Sequence, residues 1–152
     1  MLESNWTWGL SLIAVTMAVH AMGITVMGLG TVTIRHRVER SRIQLHYLLA
    51  VLTGVIGAVG LLLAVLHGVE AALWAVAYLW LGALNSPAEA ILYSLDSLTT
   101  RGASGLTLQS HWQMMGALEA ANGVLLFGIS TAFVFTVIQA YWPLLTRRLQ
   151  RP

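Results

Sequence analysis

Three long apolar runs, each closed by a basic or polar stretch, set the pattern of this 152-residue chain. The first goes from about Trp8 to Ile34 and stops at Arg35-His36-Arg37-Val38-Glu39-Arg40-Ser41-Arg42, where four of eight residues are arginine. The second, Ile43 to Leu84, holds about 42 residues, or roughly 60 Å as a helix. The third, about Trp112 to Leu145, ends in Arg147-Arg148-Leu149-Gln150-Arg151. A helix crosses the hydrocarbon core with about 20 apolar residues, so each run predicts a membrane-crossing helix. Between the last two runs lies a mixed segment, residues 85–105. There a short helix-like stretch leads into Thr99-Thr100-Arg101-Gly102.

The second run is long enough to raise the question of two crossings. A hairpin turning at His67-Gly68 would leave only about 15 residues for its second arm, short of the length a span needs. It would also put the C-terminal arginines opposite the 35–42 cluster, whereas arginine gathers on the cytoplasmic side. One crossing gives three spans, with the N-terminus outside and the C-terminus in the cytoplasm of a plasma (inner) membrane. The surplus length predicts that about Ser41 to Leu52 lies near the inner interface, with the crossing from about Thr53 to Leu84; one long projecting helix is the alternative. Trp74, Tyr78 and Trp80 are then expected in an outer aromatic belt. Gly54-x-x-Gly57-x-x-Gly60 reads as a close helix contact. Residues 1–42 form an N-terminal helix with its basic loop, and 43–152 the remaining module.

Composition sharpens this picture. The chain is 57% hydrophobic and 9% charged, against about 25% charged residues in soluble domains, so an integral membrane protein is expected, with the lipid bilayer as its surroundings. Met1-Leu2-Glu3-Ser4-Asn5 lacks the basic start of a secretory signal, so the first span is expected to be retained. There is no cysteine, which excludes disulfides and thiolate metal sites. Net charge is only +2, and no nucleic-acid partner is expected. No nucleophile–base set, phosphate loop or i, i+4 histidine pair occurs, so neither an enzyme, a cofactor nor a metal site is expected.

The order of span, short helix, threonine–glycine loop and span resembles the pore module of the potassium channel superfamily. Ile91-Leu92-Tyr93-Ser94-Leu95-Asp96-Ser97-Leu98-Thr99-Thr100 is similar to that family's pore helix and the start of its filter. Leu118-Glu119-Ala120-Ala121-Asn122-Gly123-Val124-Leu125-Leu126-Phe127-Gly128 is similar to its inner helix, with Gly128 near the usual glycine hinge. The resemblance covers about residues 54–142. It implies an all-α membrane fold of three transmembrane helices plus a re-entrant pore helix and loop, assembled as a homotetramer around a central pore. Non-helical backbone at membrane depth is tolerated only where protein buries it or it lines water.

The loop departs from the family's Thr-Val-Gly-Tyr-Gly filter. It reads Thr100-Arg101-Gly102-Ala103-Ser104, so only Thr100 and Gly102 match. Ala103 stands where the family has a bracing tyrosine and Ser104 where it has glycine; a positive φ at serine would cost about 1–2 kcal/mol. Thr99, Thr100, Arg101, Gly102, Ala103 and Ser104 are the residues implied for the filter and ion pathway. These departures argue against four stacked ion sites and against potassium selectivity with them.

Intramembrane charge is a functional signal by default, and Asp96 and Arg101 are five residues apart. The resemblance places both side chains in the space behind the loop. An Asp96–Arg101 ion pair stapling the loop is one reading; the other is an Arg101 that lines the pore and repels cations. His67 and Glu70, three apart on one helix face, read as a packing pair or a relay. His20 reads as a hydrogen-bond donor between helices. Glu119 and Asn122 either face a water-filled cavity, as the resemblance implies, or bind the pore helix from behind. His111 and Trp112 read as outer-interface anchors. The function expected is a homotetramer passively conducting monovalent cations, with weak or lost potassium selectivity. The alternatives are a non-conducting scaffold or regulatory subunit, or an anion or water pore lined by Arg101.

Overall fold

The structure, a computed structural model, describes residues 2–41 and 44–149. Four helices follow one another: α1 (Leu2–Arg40), α2 (Leu45–Trp80), α3 (Pro87–Leu98) and α4 (Gln113–Leu149). The three long ones, α1, α2 and α4, are each long and apolar enough to cross a membrane. α2 passes unbroken through His67-Gly68, so the middle run is one helix and not a hairpin. It also passes unbroken through Leu52-Thr53; no change of structure separates an interfacial stretch from a crossing one. Helix and apolar run do not end together. α1 continues through Arg35–Arg40 because arginine and glutamate are strong helix formers, and the Arg35 guanidinium pairs with Glu39 at 3.0 Å one turn on. Arg42 and Arg151 of the two basic clusters lie outside the described residues.

The ends of α2 and α3 have local causes. α2 stops at Trp80, short of the apolar run's end at Leu84, because Gly82 takes φ +67. The Gly82 N–H bonds to the Leu79 carbonyl and the Ala83 N–H to that of Tyr78, the paired bonds of a glycine C-terminal cap. α3 opens at Ser86, whose hydroxyl faces the Glu89 N–H at a long 3.5 Å. Pro87 occupies the first turn, where a missing N–H costs nothing.

The chain divides into two compact units, Met1–Ala21 with Val65–Gly128, and Met22–Ala64 with Ile129–Pro152. The first contains α3 and the loop after it. Its core joins Trp74, Tyr78, Ala90, Leu108 and Met115, with a smaller cluster of Ala71, Leu98 and Leu126. In the second unit Tyr141 is fully buried and its hydroxyl donates to the Thr31 carbonyl at 2.8 Å, while Gly28 lies against Phe133. Gly54, Gly57 and Gly60 meet nothing within 4 Å. Their expected close contact is therefore not made among the described residues of this chain.

Besides this apolar core, several polar groups point inward and many large apolar ones outward. Thr16, His20, Glu70, Ser94, Glu119 and Asn122 are all at most 1% exposed, while Met22, Val26, Leu29, Leu61, Val76 and Trp80 are all more than 60% exposed. A water-soluble protein sorts the other way. Polar groups hidden from lipid by pairing with one another are what a hydrocarbon surrounding demands.

Candidate functional site

The site is built on α3 and the loop that follows it. α3 runs beside α2 and α4 and is tied to both by its own short polar side chains. Ser94 Oγ donates to the Ala71 carbonyl of α2 at 2.7 Å, and Ser97 Oγ to the Gly116 carbonyl of α4 at 2.9 Å. Glu119 on α4 closes the arrangement: its carboxyl accepts the Tyr78 hydroxyl of α2 at 2.6 Å and lies against Ser94 Oγ, whose one proton is shared between this carboxyl and the Ala71 carbonyl. Gly123, one turn further, meets the Leu98 carbonyl so closely that a Cβ there would sit 2.8 Å from the Leu98 carbonyl carbon. Gly123 is ten residues into α4, so the end of α3 lies roughly 15 Å along α4 from its start. The chain then returns over residues 99–112 to begin α4.

Asp96 organises the return. Its Oδ1 accepts the Ala103 N–H at 3.2 Å and its Oδ2 the Ser104 N–H at 3.0 Å, while Arg101 Nε lies 3.0 Å from Oδ1. Successive N–H groups converging on one anion need a change of backbone hand between them and the helix. Here Thr100 (φ 56), Gly102 (φ 62) and Gly105 (φ 70) supply left-handed residues. Thr100 is the costly one, since a β-branched residue strongly resists this region. Ser104, where the departure from glycine raised the prospect of strain, does not adopt a positive φ; Gly105 takes that role one residue later. Strain of this kind persists only where the surroundings over-determine it, and it gathers at functional sites. Three bonds do so here: the N–H groups of Thr99, Thr100 and Arg101 donate to the carbonyls of Leu95, Ser97 and Asp96.

Chiefly the Ser104 N–H holds the Asp96 carboxyl below its ordinary value of 3.8, with the Ser104 side chain, the Ala103 N–H and Arg101 adding to it. A carboxyl with a depressed folded value stabilises the loop fully above its ordinary value and ceases to do so as pH falls through the folded one. The Ala103 and Ser104 amides are therefore expected to stay protected from hydrogen exchange through neutral and mildly acid pH and to open only below about 3.8. Asp96→Ala is expected to expose both amides at every pH, and Arg101→Ala to leave them protected. Unchanged protection in Asp96→Ala would refute this role for the carboxylate. The Arg101 side chain is 64% exposed and that of Asp96 6%, so within one chain the pair forms without burying the arginine.

No protein-family model, no curated protein and no solved structure matches this chain. What the site can do is read from its geometry.

Thr99, Thr100, Arg101, Gly102 and Ala103 are all exposed in the chain, and Ser104 is half-buried. A cavity of about 430 Å³ beside them is lined by Tyr93, Asp96, Ser97, Thr100, Ser104 and Thr107, among others. Glu119 and Asn122 do not face open space: both are fully buried. Glu119 binds α2 and α3, and the Asn122 amide donates to Thr16 Oγ1 of α1 at 2.8 Å. Gly128 meets nothing within 4 Å, and α4 runs straight through it. The aromatic belt is corrected in part. Trp74 and Tyr78 are fully buried, and only Trp80, 73% exposed, faces outward, edge-on to Trp8 at 5.2 Å. Hydropathy reports that a segment is apolar; it does not report which face meets a neighbour. His111 is exposed and Trp112 half-buried, and the His111 carbonyl accepts the Asn5 amide at 2.6 Å.

The part that Tyr78, Ser94, Ser97, Thr16 and Gly116 play in tying the helices together escaped the reading of the sequence. One signal was present. Gly116, Glu119 and Gly123 fall on one face of α4 at i, i+3 and i+7, the spacing of a helix contact surface. Small–polar–small on one face of an otherwise apolar helix marks a close, hydrogen-bonded approach.

Proposed function

We propose that this chain is a homotetrameric, channel-like integral membrane protein that conducts monovalent cations passively, with weak or lost potassium selectivity. One observation carries the reading: a short helix ends roughly 15 Å along α4, a helix of spanning length, and a strained polar loop leads back from that depth. Fifteen ångströms is about half the thickness of a bilayer's hydrocarbon core. Irregular backbone at that depth requires protein or water around it, and the exposed face of residues 99–103 has no protein over it in one chain. Four copies around an axis would supply the cover and enclose the pathway.

In this mechanism the negative end of the α3 dipole, the Thr100 hydroxyl and the loop carbonyls stand in for part of a cation's water. Asp96 holds the loop from one side. Gly128, with open space around it, gives α4 room to bend. The arginine clusters favour a cytoplasmic C-terminus and an outward N-terminus, so the loop would open from the outside.

The 64% exposure of the Arg101 side chain favours a second reading, an anion or water pore, or a sealed scaffold. Purified protein in liposomes separates them. Under a potassium chloride gradient the reversal potential is expected to lie on the cation side, and replacing potassium by sodium should shift it little. A reversal potential at the chloride value would make the pore anionic. No flux from a stable tetramer would leave the scaffold, and a monomer in the membrane would refute the channel outright.

A further inference from the structure

Away from the loop, the first unit buries a second polar cluster. His20 on α1 and His67 and Glu70 on α2 are 1%, 9% and 0% exposed. His20 Nδ1 lies 2.8 Å from Glu70 Oε1, and His67 Nδ1 lies 2.9 Å from Glu70 Oε2. The two imidazoles stack with centroids 5.4 Å apart, and Phe127 covers His67 at 4.3 Å. One donor atom from each of the three residues falls within 4.8 Å of the others.

We propose that His20, His67 and Glu70 form a binding site for a divalent transition metal of the zinc type, taken by the two Nδ1 atoms and the carboxylate, with a fourth position left for an external ligand.

The donor set is the first argument. Two imidazoles and one carboxylate suit zinc and its neighbours, and a three-residue set leaves one tetrahedral position open. Charge is the second. Glu70 makes ion pairs only with the two histidines among the described residues, and a carboxylate in an apolar bundle calls for a compensating cation. A metal ion held among the three donor atoms supplies it. Geometry is the third. Ligands about 2.0–2.1 Å from a tetrahedral ion lie roughly 3.3 Å apart. Each nitrogen–oxygen pair therefore needs to open by only about half an ångström, within reach of side-chain rotation. On binding, each Nδ1–H···O bond is exchanged for an Nδ1–metal bond, and the imidazole proton resides on Nε2. All three side chains are buried, and Phe127 packs over the His67 ring, which limits competing water. No spacing along one helix reveals this set, because His20 comes from α1, 47 positions before His67.

The test uses the full chain in detergent micelles, stripped with a chelator and titrated with Co²⁺ and then Zn²⁺. The expected result is one ion per chain, a visible cobalt band of the intensity typical of four-coordination, its loss on adding Zn²⁺, and a higher melting temperature with Zn²⁺. His20→Ala, His67→Ala and Glu70→Gln are each expected to lower Zn²⁺ affinity by about 100-fold or more. Glu70→Gln keeps the size of the side chain, so it reports on the charge even if the alanine variants fold poorly. Three results would each overturn the site: a stripped wild-type chain that takes up no metal and shows no cobalt band on titration, a six-coordinate cobalt spectrum, or binding unchanged in Glu70→Gln. None of these readouts depends on conduction. A chain that passes no ions yet binds one Zn²⁺ would remove the channel and leave the metal site standing.

Discussion

Gly123→Ala is expected to cut ion flux by about tenfold or more while leaving the three long helices inserted. The added methyl would fall within the contact radius of the Leu98 carbonyl oxygen, 2.8 Å from the carbonyl carbon and 3.1 Å from Cα. These are backbone atoms, and Leu98 is itself buried against Ala71 and Leu126, so no side-chain rotation relieves the clash. The end of α3 has to move. The loop moves with it, because the N–H groups of Thr99, Thr100 and Arg101 are bonded to the last turn of α3. Overpacking of this kind costs about 1–3 kcal/mol, and about 1.4 kcal/mol at the conducting geometry already lowers a rate tenfold. Flux into liposomes should therefore fall by about tenfold or more. Gly116→Ala is the control. There the added methyl meets the hydroxyl end of Tyr93, with the ring carbon behind it at 3.2 Å, and the tyrosine can swing aside. Parent-like flux and melting in Gly123→Ala would mean that α3 does not depend on this close approach.

Glu119→Ala carries the largest expected loss of stability. The carboxyl joins α4 to α2 through Tyr78 and to α3 through Ser94. The two hydroxyls are not equally stranded by its removal. Ser94 keeps its bond to the Ala71 carbonyl, whereas the Tyr78 hydroxyl has no other partner among the described residues and is fully buried. A stranded buried hydroxyl costs about 1–3 kcal/mol, and the space left by the side chain adds a cavity cost. A total of about 2–4 kcal/mol is expected from denaturant titration in mixed micelles. Tyr78→Phe removes the donor and keeps the ring, so it should cost about 1 kcal/mol. In the double variant the two effects should fall well short of adding, because each change removes the same bond. Additive losses, or a Glu119→Ala chain as stable as the parent, would show that the tie between helices contributes nothing.

Much of the architecture is legible from residue order because lipid imposes a local rule. A segment that crosses it must satisfy its own backbone, so length and apolar content suffice to find α1, α2 and α4. The start of α3 was also local, written in Ser86-Pro87 with Glu89 behind them. The end of α2 was equally local, at Gly82, yet hydropathy ran past it to Leu84, because a cap is a matter of backbone conformation and not of polarity. The glycine stripe on α2 shows the opposite error. Its spacing suits a contact, but which neighbour it meets is not a property of one helix.

Residue order alone settled the number of long helices, the short helix between the last two, and the residue types gathered around residues 96–105. It also placed Asp96 and Arg101 close enough to meet. Only the folded chain decided that Asp96 grips two backbone N–H groups of the loop, that Thr100 and not Ser104 carries the backbone strain, and that Glu119 and Asn122 turn away from open space. It alone brought His20 to Glu70. The division has one cause. Helix formation in lipid is settled by bonds spanning four residues, whereas polar side chains buried between helices must find partners wherever the packing brings them, and those lie 41, 50 and 106 positions apart.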